Sequence, residues 1–222
     1  MKNIFLYIIG ACLSLSLVSC DNEIEIWDSA TLDYSGSYLY TVALEDGTLD
    51  HGYNNEYMLE FYNTSANVAN EIFIDDHDKY FEMRSKFSLE GDFTNFKSES
   101  IEFADLTDNE KALVLPSGKP TALNETKAEA RTNIRAAIVE GKIIAKGATT
   151  LGGNITDSLY VKMTLYSGTV NFKSVSVPVE YRANPDKEEF AWEFESVVHD
   201  ATKDETVIIA GHRFTGFSED EY

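Results

Sequence analysis

Apolar residues recur at every second position along most of this 222-residue chain, and that period constrains the fold more than any other feature. Tyr38, Tyr40, Val42 and Leu44 alternate with Leu39, Thr41 and Ala43. Tyr57, Leu59 and Phe61 follow the same rule, as do Phe81, Met83, Phe87 and Leu89. So do Leu159, Val161, Met163 and Leu165, then Val175, Val177, Val179 and Tyr181 around Pro178, then Phe190, Trp192 and Phe194. Val207 and Ile209 open the last run. Alternation over four to eight residues marks half-buried antiparallel strands. Turn residues fall between the runs at Glu45-Asp46-Gly47, Asn63-Thr64-Ser65, Asp75-Asp76-His77-Asp78, Gly91-Asp92, Glu140-Gly141-Lys142, Gly152-Gly153-Asn154 and Ser167-Gly168. The pattern predicts an all-β domain of about eight to ten antiparallel strands, a sandwich or a barrel.

One stretch breaks the rhythm. Residues 104–133 are polar and contain Pro116, Gly118 and Pro120. Their last part, Glu125–Arg131, is expected to form a short helix capped by Asn124, because Ala128 and Ala130 favour one. Helix or long loop, the segment reads as an insertion beside the mouth of a barrel.

The N-terminus carries an address. Lys2 precedes an uncharged run from Ile4 to Val18 that ends in Leu17-Val18-Ser19-Cys20. This run falls short of the roughly 20 residues that span a bilayer, and it matches a signal-peptide core. A basic start, an apolar core, a small residue and a cysteine form a bacterial lipoprotein signal. A transmembrane anchor and an ordinary cleaved signal are the alternatives. The expected organisation is a signal peptide over 1–19, a lipidated tether over 20–35 beginning at Cys20, and one barrel domain over 36–222. The partner so implied is a membrane, through the lipid anchor. Asp21, Asn22, Glu23 and Glu25 follow Cys20 at once. They resemble the acidic tract that directs Bacteroidetes lipoproteins to the outer cell surface; a periplasm-facing outer-membrane lipoprotein is the alternative.

Charge and cysteines exclude several classes. The formal net charge is −20 and becomes −21 without Lys2, so the basic footprint of a nucleic-acid binder is missing. The two cysteines are Cys12, inside the signal, and Cys20. The body therefore has no thiol for a cysteine zinc site or a cysteine nucleophile.

Several phrases resemble the lipid-binding putative hydrolase family of Bacteroidetes lipoproteins. They are Phe61-Tyr62-Asn63-Thr64-Ser65, Glu71–Asp76, Gly141-Lys142-Ile143, Ala148-Thr149-Thr150, Asp157-Ser158-Leu159 and, most specifically, Gly211–Asp220. The resemblance covers roughly residues 27–222 and fits least well over 104–133. It implies a lipocalin-like (calycin) β-barrel that binds lipid. Lipocalins open their first strand with Gly-x-Trp and stack a basic residue of the last strand on the indole. Here Gly36-Ser37-Tyr38 opens the first strong strand, with Tyr in place of Trp, and Arg213 shares the parity of Val207 and Ile209. Tyr38 and Arg213 are thus the expected barrel-closing pair, with Trp27 as another source of the ring.

Chemistry is sparse. His51, His77, His199 and His212 show no metal-site spacing, and no serine lies in a Gly-x-Ser-x-Gly elbow. No catalytic residue, metal or cofactor is therefore expected. Asp75-Asp76-His77-Asp78 reads as a hairpin connection, with calcium binding as the alternative. Ser29, in Asp28-Ser29-Ala30, fits a short O-glycosylation pattern on an exposed tether. Two functions from different classes stand ahead of a hydrolase. One is a barrel holding a lipid or small apolar ligand against Tyr38, Tyr40, Phe61, Phe81, Met83, Met163, Trp192 and Phe194. The other is a surface-interaction module whose barrel is packed solid and whose contact surface is 104–133.

Overall fold

The computed structural model describes residues 28–98, 103, 106, 110–111 and 114–222. Among these residues ten strands form: β1 (Gly36–Leu44), β2 (Leu49–His51), β3 (Met58–Asn63), β4 (Glu71–Asp75), β5 (Arg84–Asp92), β6 (Asn95–Ser98), β7 (Thr126–Thr149), β8 (Ile155–Ser176), β9 (Phe190–His199) and β10 (Glu205–Arg213). They make one antiparallel sheet in the order β10-β1-β3-β4-β5-β6-β7-β8, and β8 also pairs with β10, so the sheet closes into a ring. The chain is all-β and barrel-like, as the alternation predicts.

β7 and β8 are far longer than the others, at 24 and 22 residues. One half of their ribbon belongs to the ring, where Leu159–Leu165 of β8 pairs with Glu205–Gly211 of β10. The other half projects beyond it: Thr126–Arg131 of β7 pairs with Gly168–Lys173 of β8, and β9 takes the same edge of β8 that β10 occupies lower down. The change of neighbour falls at Ser167, whose carbonyl accepts from Asp200 N (3.0 Å) and whose N–H donates to Asp204 Oδ1 (3.1 Å).

Each part has its own core. The ring encloses Tyr38, Tyr40, Val42, Leu59, Phe61, Ile72, Ile74, Phe81, Met83, Phe87, Phe96, Val161, Met163 and Ile209, all buried. Its rings interlock: Tyr38 meets Phe61 edge-on at 5.3 Å, and Tyr40 stacks on Phe81 at 6.2 Å. An eight-stranded ring is just wide enough for side chains to fill it or for one small ligand. The projecting half carries a smaller cluster of Leu106, Val114, Ile134, Val170 and Phe172, with Phe103, Trp192, Phe194 and Val197 against it.

Several sequence expectations are corrected here. Glu125–Arg131 is not a helix. Thr126 onward is strand, because its backbone is paired to Gly168–Lys173, and Asn124 sits in a left-handed conformation (φ 61°) at the entry. Ladder hydrogen bonds and burial override the helix propensity of two alanines. Gly141 and Gly168 do not mark turns. Each lies inside a long strand at a close approach: a Cβ on Gly141 would meet the Phe96 ring at 2.1 Å, and one on Gly168 would meet the Val198 carbonyl oxygen at 2.5 Å. Gly141 also follows a bulge between Ile138 and Glu140, which returns the apolar residues of β7 to the inside. The stretch from Val175 to Tyr181 is not a buried strand. The buried positions of β8 switch to Val170, Phe172 and Ser174 after Gly168, and Val179–Tyr181 is a short 3-10 turn after Pro178. Phe81 and Met83 precede β5 and belong to a loop.

The body also starts upstream of Gly36, so 28–35 is not a free tether. Tyr34 is buried, sets its ring edge-on to Phe96 (5.3 Å) and accepts the Tyr38 hydroxyl on its carbonyl (3.0 Å). Ser29 is half-buried, with its hydroxyl 3.0 Å from that of Thr31, rather than displayed on a linker. Cys20 and Trp27 lie outside the described residues.

Candidate functional site

The loop between β4 and β5 covers one end of the ring, and two buried carboxylates hold it there. Asp76 is fully buried and accepts from Met83 N (2.9 Å) and from Phe81 N. Burial pushes the Asp76 carboxyl above its ordinary range, against the pull of those backbone N–H groups. Asp75 takes Arg84 Nε (2.5 Å) and the Tyr62 hydroxyl (3.2 Å) on one oxygen and His77 N (2.8 Å) on the other. The acidic turn is thus a hairpin connection whose first two carboxylates accept hydrogen bonds from protein donors. Anchored this way, the loop drives Phe81 and Met83 down onto Tyr40 and the ring core.

Beside this loop lies a cleft of about 470 Å³. Phe81, Met83, Val114, Leu115 and Ile134 supply its apolar lining, and Glu82, Arg84, Glu110, Arg131 and Asn133 its polar lining. Its far wall is the break in β7 between Arg131 and Arg135, where pairing with β8 lapses as the ribbon leaves the ring. Asn133 stands at that break in a left-handed conformation (φ 53°) and donates its amide to the Phe81 carbonyl (3.2 Å). Glu82, opposite, is also left-handed (φ 49°). Non-glycine residues adopt this conformation at a cost, and such positions collect at binding and catalytic sites. Glu110 is buried beneath the cleft, 3.7 Å from Arg135 Nε.

Of the side chains expected to line a ligand site, Tyr38, Tyr40, Phe61, Phe81, Met83 and Met163 come together in the ring core. Phe81 and Met83 also face the cleft. Trp192 and Phe194 lie apart, on the cluster of the projecting half. The cleft residues Arg84, Arg131, Asn133 and Ile134 escaped sequence reasoning, because the strand break that assembles them has no signature of its own. The one available signal was the placing of 104–133 beside the mouth, and Val114, Leu115 and Ser117 of that segment do line the cleft. The four histidines are dispersed. His77 Nε2 meets Glu60 (3.1 Å), His199 Nε2 meets Asp204 (2.8 Å), His212 Nε2 meets the Tyr222 hydroxyl (3.0 Å), and His51 sits among Tyr40, Tyr57 and Tyr80. Among the described residues none hydrogen-bonds a serine or threonine hydroxyl, the first requirement of a hydrolytic dyad.

The opposite end of the ring is shut by the closing pair. Tyr38 and Arg213 are cross-strand partners, and the guanidinium lies over the ring at 5.3 Å. Arg213 also meets Asp157 (3.1 Å) and donates to the carbonyls of Ser35 and Asp33. Gly36 is required here twice, for its φ of +146° and because a Cβ would stand 2.8 Å from the Arg213 Nη1. Burial pushes the Tyr38 phenol up to about 12, with Arg213 pulling the other way.

The C-terminal tail then locks this end. Asp220 accepts from Gly152 N (2.9 Å), the Asn154 amide (3.2 Å) and the hydroxyls of Thr150 and Thr215, tying the tail to the β7–β8 hairpin. Tyr222 stacks on Tyr53 at 4.4 Å. The most specific sequence phrase, Gly211–Asp220, is therefore a structural clasp on the side away from the cleft.

Comparison with protein families finds one whose model, described as lipid-binding putative hydrolase, matches residues 23–218. Comparison with curated proteins finds no match.

The clasp gives a pH prediction. Burial favours the neutral Asp220 carboxyl, but its four donors outweigh that and bring it down to about 2 from an ordinary 3.8. A carboxylate lowered on folding contributes stability above its unfolded value, and that contribution fades as pH falls from about 4 towards about 2. Asp220→Asn is expected to melt lower at pH 7 and to lose less stability than the parent between pH 4 and pH 2. Thermal melts across that range check it; parallel curves for the two proteins contradict it.

Proposed function

The chain belongs to the lipid-binding putative hydrolase family, and we propose on that premise that it binds a lipid or other small apolar ligand in the cleft at one end of its ring. The supporting observation is the contrast between two spaces. The ring interior is filled by its own aromatic side chains, whereas the cleft keeps about 470 Å³ open, with Phe81, Met83, Val114 and Ile134 behind a lining whose exposed surface is mainly polar. That volume lies within the range of small-molecule sites. Leu115 is the exposed apolar side chain on the lining that an acyl chain can meet, with Phe81, Met83, Val114 and Ile134 packed behind it. Arg84, Arg131 and Asn133 supply polar groups on its lining.

The filled ring also favours the surface-interaction reading over any ligand inside the barrel, so the cleft is where the two readings part. We further propose that Cys20 is lipidated after removal of residues 1–19. The protein would then be held at the outer membrane, with its acidic body at the cell surface.

Thr132 is exposed on the rim of the cleft, and Thr132→Trp fills the opening without touching the core. Native mass spectrometry of gently extracted protein is expected to show co-purified lipid on the parent and at least about tenfold less on the variant, since a blocked site loses its apolar burial. Equal occupancy of both would remove the cleft from the account. For the anchor, Cys20→Ser is expected to abolish incorporation of labelled palmitate and to move the protein out of the membrane fraction. Continued labelling would contradict lipidation there.

A further inference from the structure

Among the described residues, the buried side-chain atoms with no hydrogen-bond partner include Arg131 Nε on the cleft lining and, behind its wall, the Tyr40 hydroxyl and His51 Nε2. Tyr40 is fully buried. The Tyr40 and His51 rings lie tilted at 47° with centroids 6.2 Å apart, on β1 and on the short strand β2 paired to it. An unsatisfied buried polar group is costly, and two such groups on neighbouring rings can be served by one partner.

The surroundings describe that partner. Phe81 stacks on Tyr40 at 6.2 Å, and Tyr80 lies 5.1 Å from His51 and 4.7 Å from Phe81. Tyr80 and Phe81 also line the cleft, so the orphan pair lies one layer of side chains behind the cleft wall. The local charge is negative. The Asp76 carboxylate is close enough to oppose ionisation of Tyr40, and Asp50 accepts the Tyr80 hydroxyl. A ligand carboxylate or phosphate is repelled here.

We propose that Tyr40 and His51 receive the hydroxyl group of a neutral lipid, an alcohol or glyceride, whose chain lies in the cleft. A hydroxyl oxygen accepts from the Tyr40 O–H. It either donates to Nε2 or accepts from Nε2–H, so it satisfies the pair in both tautomers of the neutral imidazole. An ester lacks the donor, and a carboxylate carries the wrong charge. Entry of the hydroxyl end requires Tyr80, half-buried on the cleft lining, to move aside. This assignment rests on the reading of the cleft as a lipid site and adds the class of head group.

The test uses three probes of equal chain length: 1-dodecanol, methyl laurate and laurate, titrated against the parent and against Tyr40→Phe. Tyr40→Phe deletes one oxygen from a packed ring, and its melting temperature is measured alongside; His51→Gln, on the half-buried side, serves as a second variant. The parent is expected to prefer dodecanol. Tyr40→Phe is expected to weaken dodecanol by about three- to tenfold, the worth of one hydrogen bond, and to leave methyl laurate unchanged. His51→Gln is expected to weaken dodecanol less, since an amide both donates and accepts. If the parent binds the probes but Tyr40→Phe leaves dodecanol unchanged, the head-group assignment is overturned and the cleft reading stands. If the parent binds none of the three, the lipid reading falls and takes this inference with it.

Discussion

The ribbon of β7 and β8 is the constraint on which everything else depends. Its near half supplies two staves of the ring, and its far half leaves the ring and builds a second cluster. A ribbon cannot serve both parts without a place where pairing changes. On β8 that place is Ser167-Gly168, where the edge passes from β10 to β9. On β7 it is Arg131–Arg135, where pairing lapses. The cleft is the space this lapse opens, with the anchored β4–β5 loop as its other wall. Site and fold therefore share one cause.

The ring itself is finished at both ends by different means. At one end Tyr34, Arg213 and the C-terminal tail close over Tyr38; at the other, Asp76 pulls Phe81 and Met83 onto Tyr40. A barrel of this size has little room once aromatic side chains enter from both directions. The same aromatics that suggested a hollow, ligand-lined interior instead supply the packing of a body that has no disulfide to rely on. Polar groups left over from this packing, the Tyr40 hydroxyl and His51 Nε2, lie at the cleft end.

Local pattern carried the strands where one face of the sheet is buried throughout. Leu159, Val161, Met163 and Leu165 alternate in sequence and are buried together, and Tyr38 and Arg213, matched through the lipocalin pattern and the parity of Arg213, are cross-strand partners. The pattern misled where the buried face changes. Glycines at Gly141 and Gly168 look like turn residues because close approach and tight turning both demand a missing Cβ. Glu125–Arg131 looks helical because its strand identity comes from a partner some 40 residues away. The cleft was least legible. Its members come from three separate stretches, and left-handed Glu82 and Asn133 have no sequence signature.

The central claim is that lipid occupies the cleft beside the ring and not the ring's interior. A long-chain alcohol carrying a diazirine, photolysed on the full-length protein and mapped by peptide sequencing, tests it most directly. The account predicts adducts confined to residues 80–85, 114–117 and 131–134, suppressed by excess unlabelled alcohol. Adducts on Val161, Met163 or Ile209, inside the ring, would contradict it.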